Sequence, residues 1–349
     1  MRTKSNVKVG ISIGDMNGIG PEVILKSLQD PRVLELFTPV IFANSKMMSF
    51  FGNQLNIKLQ FNGISDASEA IEGKINVVNV WKENVKISFG EEDKTIGGYA
   101  IKSLKAATQA LIKKGIDTLV TAPIHKNSIQ SDEFNFPGHT DYLAQELKGD
   151  SLMFMVSDTI KVGLLTDHVP VKDVSSKITE ELIEKKINAI HDSLKKDFNI
   201  REPKIAVLGI NPHSGDGGVI GKEDDEVLKP AIKKFIEEGK FVFGPYAADS
   251  FFGSKNNANF DAVIAAYHDQ GLIPFKTLSF GNGVNFTAGL NRIRTSPDHG
   301  TAFDIAGKGI AEGSSFTQAI FMSISIFKNR TEYLKLNKNP LEKQTQKSF

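Results

Sequence analysis

Short apolar runs alternate with longer amphipathic ones along the chain. Residues 7–13, 40–42, 75–80 and 118–120 are rich in β-branched side chains and bounded by polar residues or glycine, the pattern of buried strands. Between the last two, residues 97–115 place Ile101, Leu104, Ala107, Leu111 and Ile112 on one helical face, with Gly115 as the expected C-terminal cap. Further on, 205–210 read as strand, 223–238 as helix and 262–267 as strand. Repeated strand–helix–strand units predict an α/β fold with a mostly parallel sheet. Residues 152–156 and 160–165, split by Ser157-Asp158-Thr159, predict a hairpin that a purely parallel sheet does not need. This places them in a second domain or at a subunit contact. No internal repeat or long linker stands out, so crossing strands are expected to join the domains.

The 349 residues are long for one domain and suit two. Lys and Arg number 42 against 41 Asp and Glu, a formal charge of +1. No net field therefore favours nucleic acid or an anionic membrane, and any anionic ligand must be held by a local cluster. The absence of cysteine excludes disulfides, thiolate metal sites and a cysteine nucleophile. Metal ligands must then be His, Asp, Glu or backbone oxygen. The first residues lack the apolar core of a signal peptide, and no run approaches ~18–20 apolar residues, so a cytoplasmic protein is expected. After Lys328 the chain turns polar and lysine-rich, predicting a helix end and a frayed tail.

In open α/β sheets, sites form beyond the carboxyl ends of strands. After the first strand, Gly14-Asp15-Met16-Asn17-Gly18-Ile19-Gly20-Pro21-Glu22 reads either as an anion-binding loop or as a plain turn into a helix. In Thr121-Ala122-Pro123-Ile124-His125-Lys126, Lys126 is a phosphate ligand or a solvated charge. His139 and Thr140 open a helix, where unpaired N–H groups and the positive dipole end suit an anion; the plainer reading is that Thr140 only caps it. His168, His213 and His268 each follow a strand. Three imidazoles can hold zinc or a related ion with positions left for substrate, although lone histidines are more often structural. Lys276, Asn285, Arg292 and Arg294 lie among apolar and glycine residues, and one of the two arginines is expected to face solvent. The glycine-rich stretch 298–309 either wraps an adenosine or phosphate group or is a long turn.

Eight segments in one order, GDMNGIGPE, TAPIHK, FPGHTDYLA, DHVPVKDV, GINPHSGDGG, GPYAADSFF, YHDQGLIPFK and GNGVNFTAGLNRIRTSPDHGTAFDIAGKG, resemble the 4-hydroxythreonine-4-phosphate dehydrogenase family over residues 14–309. The resemblance implies an isocitrate/isopropylmalate dehydrogenase-like fold: two α/β/α domains, residues 1–125 plus 275–349 and residues 126–274, with the active site in the cleft between them. It implies a homodimer with shared sites. The family's metal histidines fall on His168, His213 and His268, the last from the partner subunit, with one zinc, magnesium or cobalt ion per site. Its substrate contacts fall on His139, Thr140, Lys276, Asn285 and Arg294. The loop holding His299, Gly300, Thr301, Asp304 and Gly307 resembles a cofactor loop for NAD or NADP.

The implied reaction is oxidation of 4-phosphohydroxy-L-threonine to a β-keto acid that loses carbon dioxide to give 3-amino-2-oxopropyl phosphate, in pyridoxal 5'-phosphate (vitamin B6) biosynthesis. Lys276 and Asp269 are the candidate bases, with Lys276 favoured and Asp269 also placed to orient His268. Within the same resemblance, 4-phospho-D-threonate, 4-phospho-D-erythronate and cis-diol carboxylates are rival substrates. A metal-dependent phosphatase is the rival of another class, although it leaves the loop at 299–309 without a task. A non-catalytic binding relative has nothing in its favour.

Overall fold

The computed structural model describes residues 6–132, 134–149 and 151–339; the helix expected to end near Lys328 runs on as Ser314–Leu336, and the rest of the expected tail, residues 340–349, lies outside the described residues. Twelve strands among the described residues form one continuous sheet. They are β1 (Val7–Ser12), β2 (Phe37–Ala43), β3 (Phe61–Ile64), β4 (Ile75–Asn79), β5 (Thr118–Thr121), β6 (Leu152–Val156), β7 (Lys161–Leu164), β8 (Lys204–Leu208), β9 (Phe241–Tyr246), β10 (Ala262–Ala265), β11 (Val284–Ala288) and β12 (Ile293–Pro297). The order is β3-β4-β2-β1-β5-β12-β11-β6-β7-β10-β8-β9.

The first six strands in that order are mutually parallel, and so are the last four. Between them β11 runs antiparallel to both β12 and β6, and β6 antiparallel to β7. Three successive reversals make the two parallel sets run in opposite directions. The hairpin expected at 152–165 is the β6–β7 pair, and it lies in the middle of the sheet, where it performs the last of these reversals. Helices cover both faces, which is why β2 reads as an unbroken buried run. One apolar core packs Ile11, Ile41 and Phe316 around the first set, and another packs Phe154, Ile187 and Ile264 around the second.

Two expected helices differ in detail. The helix over 97–115 runs Lys94–Ile112, with the Asp93 carboxylate accepting from the Thr95 N–H at its start. At its end Lys114, not Gly115, takes the left-handed conformation (φ 61°), and the Gly115 N–H reaches back to the Ala110 carbonyl. A Cβ at Gly115 would sit 3.2 Å from that of Ala67, a tight contact that glycine avoids. The helix over 223–238 opens with a π-type turn, Asp224–Leu228, and becomes α-helical at Lys229–Glu237. Pro230, which has no N–H to donate, sits at the change. No described helix is long and apolar enough to cross a membrane.

Candidate active site

A cleft of about 800 Å³ opens over the junction of the two strand sets. Register places Met155, Asn285 and Ser296 side by side on neighbouring strands, and Arg294 and Thr287 fall on the same face two residues along their own strands. The floor is therefore built by period-two alternation on β12, β11 and β6.

One end of the cleft is built for an anion. Arg294 is only 2% exposed. Its Nε and Nη2 donate to the Thr121 hydroxyl at 3.1 and 2.6 Å, and Nη1 donates to the Thr287 hydroxyl at 3.1 Å. Among the described residues it has no acidic partner. Burial pulls its pKa down to about 9, which still leaves it cationic at neutral pH. A buried, uncompensated charge is costly unless a ligand completes it.

His139 begins the helix His139–Leu147, after Gly138, which offers no side-chain cap. Its Nε2 is buried without a partner. Burial first, and the Arg294 charge second, hold its pKa well below the usual 6.5, so the ring is neutral at pH 7. Thr140 lines the cleft and does not cap the helix. A folded pKa below the unfolded one means that the unfolded chain binds more protons between the two values. The stability tied to neutral His139 is thus complete above about 6.5 and is lost as pH falls through the folded value. We expect His139→Gln to flatten the fall of Tm with acid below pH 6.5; parallel Tm–pH curves for the two proteins would contradict a neutral His139.

The other end gathers imidazoles. β7 and β10 are adjacent and parallel, so the loops that follow them emerge side by side. They bring His168 and His268 to a ring separation of 6.0 Å. The Asp269 carboxylate accepts from His268 Nδ1 at 2.7 Å, which leaves Nε2 as the free electron-pair donor, an arrangement that fits a metal ligand. Asp269 itself is exposed and does not line the cleft. His213 is not with this pair. It follows β8 in an exposed stretch where His213, Ser214, Gly215, Asp216 and Gly217 all have positive φ, tethered by the buried Asp224, which accepts from the Ile210 and Asn211 N–H groups. Among the described residues no three acidic or histidine groups of one chain come together as a metal site.

His268, Leu272 and Lys276 recur every fourth residue on helix His268–Ser279 and all line the cleft. Lys276 Nζ donates to the Asp298 carbonyl at 3.3 Å. Asn285 and Lys126 also line the cleft. Arg292 does not: its Nε donates to the Leu111 carbonyl at 3.3 Å, beyond the amino end of β12.

The loop after β12 divides. His299 and Gly300 line the cleft; His299 Nε2 is buried and unpartnered, and Gly300 has open space at its Cα. Both fit a ligand beside them. Thr301, Asp304 and Gly307 are not in the cleft wall. The Thr301 carbonyl accepts from the Ile19 N–H at 2.9 Å, Asp304 is exposed, and Gly307 (φ 74°) leaves room for the Phe89 ring, 2.6 Å from where its Cβ would stand. The loop at 14–22 packs against this stretch. The Asn17 side chain is bonded to Ser88 and Glu91, and Pro21 sits in the first turn of helix Gly20–Ser27. Thr121, Thr287, Ser296, Met153 and Met155 were not singled out from the sequence. The alternation around Asn285 and Arg294 was the signal available for Thr287 and Ser296.

A family model described as pyridoxal phosphate biosynthetic protein PdxA matches residues 35–323. The chain belongs to this family. A 4-hydroxythreonine-4-phosphate dehydrogenase of Bacteroides thetaiotaomicron is 46% identical over 98% of this chain and 94% of its own. One from Sulfurihydrogenibium sp. is 38% identical over 91% of this chain and 98% of its own. The crystal structure of the Klebsiella pneumoniae 4-hydroxythreonine-4-phosphate dehydrogenase superposes with a TM-score of 0.80 at 30% identity, covering 94% of this chain and 99% of that one. The mixed α/β architecture is the family's.

Proposed function

We propose that this chain is an NAD(P)-dependent, divalent-metal-dependent dehydrogenase that oxidises 4-phosphohydroxy-L-threonine in pyridoxal 5'-phosphate biosynthesis. The observation that carries the reading is the buried, uncompensated Arg294 beside a neutral His139, at the opposite end of one cleft from the His168–His268 pair. Such a cleft suits a short substrate with an anion at one end and metal-binding hydroxyl and amine groups at the other.

The histidines would hold a zinc, magnesium or cobalt ion, which would supply Lewis-acid polarisation of the substrate hydroxyl, and His299 and Gly300 would stand beside NAD(P)+, which would supply the hydride acceptor. Arg294, His139 and Thr140 hold the phosphate. Asn285, on the cleft floor, orients the carbon chain. Lys276, in the cleft wall, takes the hydroxyl proton, while Asp269 acts through His268 by fixing its ring. The resulting β-keto acid then loses carbon dioxide to give 3-amino-2-oxopropyl phosphate. The working unit is a homodimer whose sites share ligands; the 6.0 Å separation of the His168 and His268 rings within one chain favours His213, in place of the His268 that the resemblance implies, as the donor from the second subunit.

The test follows nicotinamide reduction by metal-stripped protein with 4-phosphohydroxy-L-threonine and 4-phospho-D-threonate side by side, with and without zinc or magnesium. Metal-dependent turnover of the first substrate alone supports the proposal. Turnover of the second alone moves the protein to a sugar-acid substrate. Phosphate release without nicotinamide reduction would make it a phosphatase.

A further inference from the structure

The hydroxyl of Thr121 is engaged in an unusual way. It is fully buried, and one edge of the Arg294 guanidinium donates to it twice, from Nε at 3.1 Å and from Nη2 at 2.6 Å. A threonine hydroxyl has two lone pairs and one proton. Both lone pairs face N–H groups of a cation, so the only capacity left is donation through its own O–H. Among the described residues no acceptor takes that proton, and Thr121 lines the cleft at the anion end. Thr287 makes the contrast. It accepts from Arg294 Nη1 at 3.1 Å and is just as buried, yet it is not part of the cleft wall.

We propose that Thr121 is a substrate-binding residue whose O–H donates to the same phosphate that Arg294 pairs with, while Thr287 only positions the guanidinium. Two hydroxyls, unlike a carboxylate, fix the plane of the arginine without cancelling its charge. Donation by a cation into the Thr121 oxygen also polarises its O–H, which makes it a stronger donor to an oxyanion. The phosphate then meets a guanidinium, a hydroxyl proton, the His139 ring and the first turn of helix His139–Leu147 from different directions, a donor set matched to several oxygens on one phosphorus. The inference rests on the phosphate reading of the cleft and is independent of the redox step.

Inorganic phosphate is the probe, titrated calorimetrically into the full-length protein at neutral pH with no cofactor present. Thr121→Val keeps the shape and removes the proton, and we expect its phosphate Kd to rise by about 10- to 100-fold, the range for a hydrogen bond to a charged group. Thr121→Ser retains the donor and should stay within about threefold of wild type. Thr287→Val should lose distinctly less than Thr121→Val. A Thr121→Val protein that binds phosphate like wild type, or losses of equal size in Thr121→Val and Thr287→Val, would overturn the donor role and leave the anion site standing. Undiminished binding in Arg294→Gln would instead overturn the anion site, and the Thr121 assignment with it.

Discussion

Arg294→Met is expected to lower kcat/KM by about 10²- to 10³-fold while leaving the apo protein at least as stable as wild type. The two halves of this result have one cause. In the free protein the guanidinium is buried against two hydroxyls and, among the described residues, no carboxylate, so the fold bears a desolvation cost that methionine, of similar length, does not incur. The substrate phosphate repays that cost in the complex through charge-assisted hydrogen bonds. Removing the cation thus removes ligand affinity without removing a native ion pair. Steady-state kinetics on 4-phosphohydroxy-L-threonine and Tm with and without 10 mM phosphate (roughly, a concentration well above a weak-site Kd) read out both halves. A variant that loses activity together with several degrees of Tm would mean that Arg294 is a structural residue and not the anion receptor.

His168→Ala and His268→Ala are expected to abolish metal-dependent turnover, because the two rings lie 6.0 Å apart and, among the described residues, no third group of the same chain stands in for either. Asp269→Asn should be milder, weakening metal affinity by about 10- to 100-fold, since it disturbs only the hydrogen bond at His268 Nδ1. Mixing inactive variants then assigns ligands to subunits. If each site takes His168 and His268 from one chain and the partner subunit's His213, a refolded mixture of His168→Ala and His268→Ala has no intact site and stays inactive. A mixture of His268→Ala and His213→Ala yields one intact site in each mixed dimer and recovers about a quarter of wild-type activity at random pairing. Recovery in the first mixture would place His168 and His268 in different subunits. No recovery in the second would return His213 to the chain that carries the other two.

Much of the site was legible along the chain because its residues follow strand ends or occupy first helical turns. His139 and Thr140 read as the start of a helix, and they are. His168 and His268 read as groups just past strand ends, and the adjacency of β7 and β10 brings them together. Of Arg292 and Arg294, the sequence left open which one turns inward. Burial separates them: Arg294, the second residue of β12, is 2% exposed under the cleft, whereas Arg292 lies before β12 begins and reaches only backbone carbonyls. The glycine-rich stretch after β12 looked uniform in sequence. It divides because only His299 and Gly300 stand at the strand's carboxyl edge, while Gly307 is spent on packing against Phe89.

The sequence by itself determined the α/β class, eight of the twelve strands (not β3, β9, β11 or β12) and the chemical types available: no thiol, few imidazoles and a balanced charge that forces any anion site to be local. These are properties of composition and of period along the chain, which need no knowledge of neighbours. The tertiary structure alone decided that β11 and the β6–β7 hairpin lie at the centre, reversing the sheet between two parallel sets. It alone decided that the neutral hydroxyls of Thr121 and Thr287, 166 residues apart, meet one buried guanidinium. Strand order and cross-strand register set those meetings, and both are fixed by which apolar faces pack together, a property of pairs of segments that no local pattern contains.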